Sequence, residues 1–183
     1  GGKENVRVVI PGRVLNEMSK VLGDTDEYCT LVFDQSRMTA SFGTTTLSTV
    51  LLTGEYIDYR KILPASFRTT ALADRVGVQN AIDRASLMAR EGKNNLIRMS
   101  FSGDTLAISS NAELGDVLEE LETELTGDPI EIAFNAKYIT DVIRNITDEK
   151  LCMRFNSNVS PCVIAPQEGE DCLYLILPVR VFT

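Results

Sequence analysis

Residues 129–146 read Pro129-Ile130-Glu131-Ile132-Ala133-Phe134-Asn135-Ala136-Lys137-Tyr138-Ile139-Thr140-Asp141-Val142-Ile143-Arg144-Asn145-Ile146. An apolar run leads to Asn135, a residue type whose side-chain oxygen accepts a first-turn N–H and starts a helix. Tyr138, Ile139, Val142, Ile143 and Ile146 then recur at helical spacing and predict one apolar core face. Short apolar runs at 151–155, 162–165 and 173–177 read as three strands. A strand, a helix and three strands make up the unit.

The same unit is written twice more upstream. From Phe67, an apolar strand runs to Asp74, a natural N-cap, and Val78, Ile82, Ala85 and Ala89 form the buried stripe of a helix over 75–90. Strands at 96–101 and 105–109 are joined by Gly103-Asp104, and a more acidic strand covers 115–125. In the first copy a strand at 6–10 precedes Pro11, which opens a helix where its missing N–H does no harm. Val14, Leu15, Met18, Val21 and Leu22 make its apolar stripe, and strands are predicted at 29–33, 38–42 and 47–52. The helix openings at Pro11, Asp74 and Asn135 lie 63 and then 61 residues apart, a period that signals a duplicated supersecondary unit. The expected fold class is α+β, with repeated β-α-β-β-β units and helices on one face of antiparallel sheets. Glycine and proline punctuate 55–66 and 126–129, so the expected organisation is one unit over 1–56, a connection over 57–66 and a two-unit domain over 67–183.

Composition narrows the chemistry. The chain has 183 residues, 44% of them hydrophobic, enough for one good core and part of a second. No run is long enough to span a bilayer and no segment reads as a signal peptide. Gly1-Gly2 resembles a cloning scar, so the chain is expected to begin inside a longer protein. Cys29, Cys152, Cys162 and Cys172 have no CxxC spacing and read as small buried hydrophobes. Histidine is absent, which removes the usual general base and the commonest metal ligand. Asp24, Asp26 and Glu27 form an acidic turn, read as solvated, so no catalytic residue, metal or cofactor is expected. Glu91-Gly92-Lys93-Asn94 lacks the second glycine of a phosphate-cradling loop.

Charge is unevenly placed. The chain carries a net −8, yet the helices 11–22, 75–90 and 135–146 sum to +4, leaving −12 on the remainder. Aligning the apolar stripes makes Lys20, Arg84 and Arg144 equivalent positions, and Arg13 matches Lys137 two turns upstream. Such a register would build a basic wall that meets a phosphate backbone without reading sequence. The competing reading is a set of solvated helix faces, with Glu17 and Asp141 forming short-range pairs.

Four ordered stretches resemble the bacterial beta sliding clamp family, the ring-forming beta subunit of the replicative DNA polymerase. Gly54-Glu55-Tyr56-Ile57-Asp58-Tyr59-Arg60-Lys61-Ile62-Leu63-Pro64 is similar to the family's inter-domain segment, with Ile57 where proline is usual. Ser86 to Asn95 is similar to a helix end of its third domain, and Ile132 to Tyr138 to its I-x-F-N-x-x-Y phrase. Leu173 to Arg180 resembles the family's C-terminal ending, which Phe182-Thr183 extend. The resemblance implies the clamp architecture, with helices lining a central hole, residues 1–56 as the second half of the middle domain and 67–183 as the C-terminal domain.

The function it implies is a non-catalytic, cytoplasmic processivity factor that encircles duplex DNA regardless of sequence and needs no cofactor. It would tether the polymerase catalytic subunit, the clamp loader and repair polymerases through short hydrophobic motifs. The implied peptide pocket, between the second and third domains, takes Lys61, Ile62, Asn94, Asn135, Tyr138, Val159, Pro161, Leu175, Leu177, Pro178, Val179, Arg180 and Val181. The ring would close as a head-to-tail homodimer of the full-length protein, with Leu87, Met88, Asp116, Glu119, Glu120, Glu122 and Glu124 at the interface. The present chain is then expected to be monomeric. The alternative is an α+β repeat module that binds only protein partners.

Overall fold

A computed structural model describes residues 7–24, 28–90, 95–113, 115–167 and 172–181. Asp26, Glu27, Asn94 and the Phe182-Thr183 tail lie outside the described residues, as do Glu91, Gly92 and Lys93. The chain divides into two compact units, Gly1–Asp58 and Tyr59–Thr183. The division falls inside the stretch 57–66.

The first unit is one helix and a three-stranded antiparallel sheet. Helix α1 (Gly12–Leu22) follows Pro11, and β1 (Thr30–Phe33), β2 (Arg37–Phe42) and β3 (Thr45–Val50) pair in sequence order. The turn between β1 and β2 is pinned by Asp34, whose Oδ1 accepts from the N–H groups of Ser36 and Arg37. Those bonds hold the Asp34 carboxyl below its usual range. Met18, Met38, Ala40 and Phe42 are buried, and Val14, Leu22 and Leu47 pack around them. Leu15 and Val21, expected on the buried stripe, are exposed, because this small core covers only the Val14–Met18–Leu22 line of the helix. The expected strand at 6–10 is not regular where it is described. Residues 7–10 form no ladder, and Val9 O accepts one bond, from Leu52 N–H.

The second unit holds two copies of the repeat woven into one sheet. After a single 3-10 turn at Tyr59–Lys61, the first copy is β4 (Thr69–Asp74), α2 (Arg75–Ala89), β5 (Leu96–Ser102), β6 (Thr105–Ala112) and β7 (Gly115–Gly127). The second is β8 (Ile130–Asn135), α3 (Ala136–Ile143), β9 (Lys150–Phe155), β10 (Cys162–Pro166) and β11 (Tyr174–Ile176). The strand order is β11-β10-β9-β4-β7-β6-β5-β8, antiparallel throughout. Each copy lends its first strand to the other: β4 pairs with β9, and β8 with β5. Strand β7 joins the two halves, pairing with β6 through Glu122 and with β4 from Thr123 onward.

The helices bury their apolar stripes against this sheet. Val78, Ala81, Ile82, Ala85 and Ala89 of α2 pack on β6 and β7, and the run of alanines lets the helix backbone approach closely. Ser110 Oγ on β6 donates to the carbonyl of Ala85 at 2.7 Å, so this buried hydroxyl is satisfied. Helix α3 lies beside α2 and packs on β8 and β11. Phe101, Phe134 and Phe155 sit at the centre of the core.

Two sequence expectations need correction in this unit. Tyr138, expected on the core face of α3, is 61% exposed; the inner face is the narrower set Ala136, Ile139, Thr140 and Ile143. The cysteines also divide. Cys152 and Cys162 are buried, burial pushing the Cys162 thiol far up, but Cys172 is exposed and Cys29 half-buried.

Candidate functional site

Three surfaces bring together residues singled out from the sequence. The first is the end of the second unit's sheet. Strand β11 is only three residues long, and at Pro178 the chain has no N–H to give to a ladder. The next donor, Val179 N–H, reaches across to Ala133 O on β8 at 2.8 Å. The two ends of the strand order are thus held together by this bond, where the equivalent strands β4 and β7 share a five-residue ladder.

This thin closure leaves apolar side chains uncovered. Leu177 is 66% exposed and Tyr138, in the first turn of α3, 61%. Val159 and Val181 are exposed, Pro161, Leu175, Pro178 and Val179 half-buried, and Arg180 exposed. Asn135 caps α3 through its Oδ1, which accepts from Lys137 N–H. Val159 sits in a turn closed by the hydroxyls of Ser157 and Ser160, just before β10. Ile176, between the exposed residues, is buried and belongs to the core. Lys61 and Ile62 are exposed on and just after the 3-10 turn.

The second surface is the outer side of α2 and α3. A cleft of about 300 Å³ between them is lined by Arg90, Lys137 and Arg144 together with Asp83 and Asp141. The expected cations are largely engaged. Arg84 donates Nε to Glu119 Oε1 at 2.7 Å and Nη2 to Glu119 Oε2 at 2.8 Å, a bidentate pair. Arg144 Nη2 lies 3.6 Å from Asp83 Oδ1, across the two helices. In the first unit, Lys20 pairs with Glu17 one turn away. Arg13 and Lys137 have no carboxylate partner among the described residues.

The third surface is β7. Its even-numbered residues Asp116, Leu118, Glu120, Glu122 and Glu124 all face outward and are exposed. Glu119 is set apart from that row. Strand alternation puts it on the helix side, opposite Ile108, where Arg84 holds it and keeps its carboxyl below the usual range. Exposed Leu87 lies at the end of α2, and the Met88 methyl passes 3.7 Å from where a Cβ on Gly115 would sit, which ties this end of α2 to the start of β7. Leu118, 65% exposed within the acidic row, escaped the sequence reading, although the alternation of the strand would have pointed outward there. Among the described residues no cluster of side chains is placed to hold a metal ion.

Residues 60–180 match the family model described as DNA polymerase III beta subunit, C-terminal domain. The chain belongs to the DNA polymerase III beta subunit family. The beta sliding clamp of Staphylococcus aureus is 33% identical over 181 residues, covering 98% of this chain and 48% of that protein. The crystal structure of the DNA polymerase III beta chain from Streptococcus pneumoniae superposes with a TM-score of 0.84 at 30% identity, covering 98% of this chain and 49% of that one. That of the DNA polymerase sliding clamp from Bacillus subtilis gives a TM-score of 0.83 at 33% identity over 96% of this chain and 47% of that one. The chain therefore spans about half the length of these relatives, and its α+β repeat architecture is that of the beta subunit family.

Proposed function

We propose that this chain is the C-terminal part of a sliding clamp, a cytoplasmic, non-catalytic processivity factor that encircles duplex DNA and tethers the replicative polymerase, the clamp loader and repair polymerases. The observation that carries the reading is the uncovered apolar surface at the end of the sheet. A soluble fold leaves Leu177, Tyr138 and Val159 in water at a cost, and a short hydrophobic peptide would cover them. Arg180 at the rim would grip a carboxylate or carbonyl of the peptide. The α2–α3 face would meet the duplex through Arg84, Lys137 and Arg144, and α1 of the first unit through Arg13 and Lys20. Leu87, Met88, Leu118 and the acidic row of β7 would form the ring contact with a basic surface of a second full-length copy. The acidic row also discourages edge-to-edge pairing of like copies.

The test is Leu177→Asp in the full-length protein. Affinity for a short hydrophobic partner peptide should fall by roughly 30-fold or more, as for a central apolar anchor, while the ring stays assembled by sedimentation. Unchanged peptide affinity rejects the pocket. A reading in which the module binds only protein partners draws support from the number of helix cations already paired with carboxylates. Salt-dependent association of the intact protein with duplex DNA of arbitrary sequence separates the two.

A further inference from the structure

Arg84 is held more firmly than a surface cation needs to be. Its guanidinium is engaged on the Nε–Nη2 edge by both oxygens of one carboxylate, at 2.7 and 2.8 Å. That is the geometry in which a guanidinium grips a phosphate. Glu119 owes its place to strand alternation. It is the one acidic residue of β7 that faces the helices, its side chain is only 24% exposed, and it pairs across the ladder with Ile108 on the inner face of the sheet. Arg84 itself remains 55% exposed, so the rest of its guanidinium still faces solvent. Asp83 stands beside Arg144 in a looser version of the same arrangement, 3.6 Å away. The α2–α3 face thus presents Arg84, Arg90, Lys137 and Arg144 against Glu119, Asp83 and Asp141, close to electrical balance despite four cations.

We propose that Glu119 acts as an internal stand-in for phosphate, occupying Arg84 in the absence of DNA and competing with the duplex backbone for it. The proposal rests on the reading that the α2–α3 face meets DNA. A phosphate arriving at Arg84 must displace a carboxylate of like charge, so binding at this position exchanges one bidentate pair for another and gains little net free energy. Each site along the duplex is then held weakly, which suits a protein that has to move along DNA rather than stop on it. The loosely paired Arg144 contributes in the same direction with a smaller penalty for release. Lys137, with no carboxylate partner among the described residues, supplies attraction without competition. Glu119 is a positioning residue here, because it touches Arg84 and not the DNA.

The experiment uses the full-length protein and a linear duplex of arbitrary sequence, with affinity measured across a salt series. Glu119→Gln keeps the shape of the side chain and removes its charge. It should tighten association roughly five- to tenfold near 0.1 M salt and steepen the log–log salt slope by about one, the signature of one additional phosphate contact. Adding Arg84→Gln to that variant should remove the gain. A merely structural role for the pair would instead lower stability and leave the salt slope where it was. Lys137→Gln, measured in parallel, separates the two levels of inference. If Lys137→Gln weakens binding while Glu119→Gln changes neither affinity nor slope, DNA contact stands and the competition proposal is overturned. If neither substitution moves the salt series, the DNA-facing reading falls and takes the proposal with it.

Discussion

Gly127 ends β7 with φ at +104°, and a Cβ built there would meet the carbonyl oxygen of Arg68 at 2.0 Å. Both facts forbid a side chain, and the obstacle is backbone, which cannot rotate away as a side chain could. Gly127→Ala should therefore cost about 3 kcal/mol, combining left-handed strain with displacement of the strand start at Thr69. A urea titration with an unchanged slope and a lower midpoint is the expected result, and a loss under about 0.5 kcal/mol would show that the backbone gives way. In the sequence, Gly127 reads only as turn punctuation between two strands, because the carbonyl that excludes the Cβ comes from a residue 59 positions away. Glu119 hides for the same reason. Its local sequence is an acidic strand, and only the register of β7 against β6 and the placement of α2 distinguish it from Glu120 and Glu122.

Elements were far more legible than their partners. The stripe Val78, Ile82, Ala85 and Ala89 is buried as its spacing predicts, because a fifteen-residue helix over a wide sheet leaves its core face no choice. Its start was legible too: Asp74 accepts from Gly77 N–H at the N-cap. Asp74→Ala should remove that bond and the favourable charge at the helix N-terminus, lowering stability by about 1 kcal/mol. Asp74→Asn, which keeps the acceptor, should recover most of it in the same thermal or urea assay, and equal losses for both variants would put the effect elsewhere. Helix α3 shows where periodicity stops being informative. It has eight residues, ends at Ile143 rather than at 146, and buries Ile146 through the turn that follows. Spacing alone cannot tell a tyrosine held by the core from one left uncovered, so Tyr138 read as core. The resemblance to the clamp family, by contrast, implies a surface position for Tyr138, and the side chain is exposed.

The two units differ in what holds them. Among the described residues, Met18, Met38, Ala40 and Phe42 are the buried core of Gly1–Asp58, whereas two dozen residues form that of Tyr59–Thr183. Apolar burial is the main term opposing chain entropy, and a 58-residue unit with four buried apolar side chains among its described residues is marginal. Its stretch 7–10 adds a single backbone bond, from Leu52 to Val9, where the corresponding β4 is paired along both edges. Opening of β1, β2 and β3 should then occur without opening of the eight-stranded sheet. In native-state hydrogen exchange on this chain, amides of β2, the central strand of its sheet, should exchange at least ~100-fold faster than those of β4, a difference of about 3 kcal/mol in opening free energy. Strand β4 is the right reference, since it lies at the middle of its sheet and its neighbours β7 and β9 are themselves paired on their far sides. Equal protection of β2 and β4 would mean that the two units open as one cooperative body and that the small core draws stability from beyond its own residues. In a protein of the relatives' full length, protection of β2 that rises toward that of β4 would assign the missing stability to contacts from outside this chain.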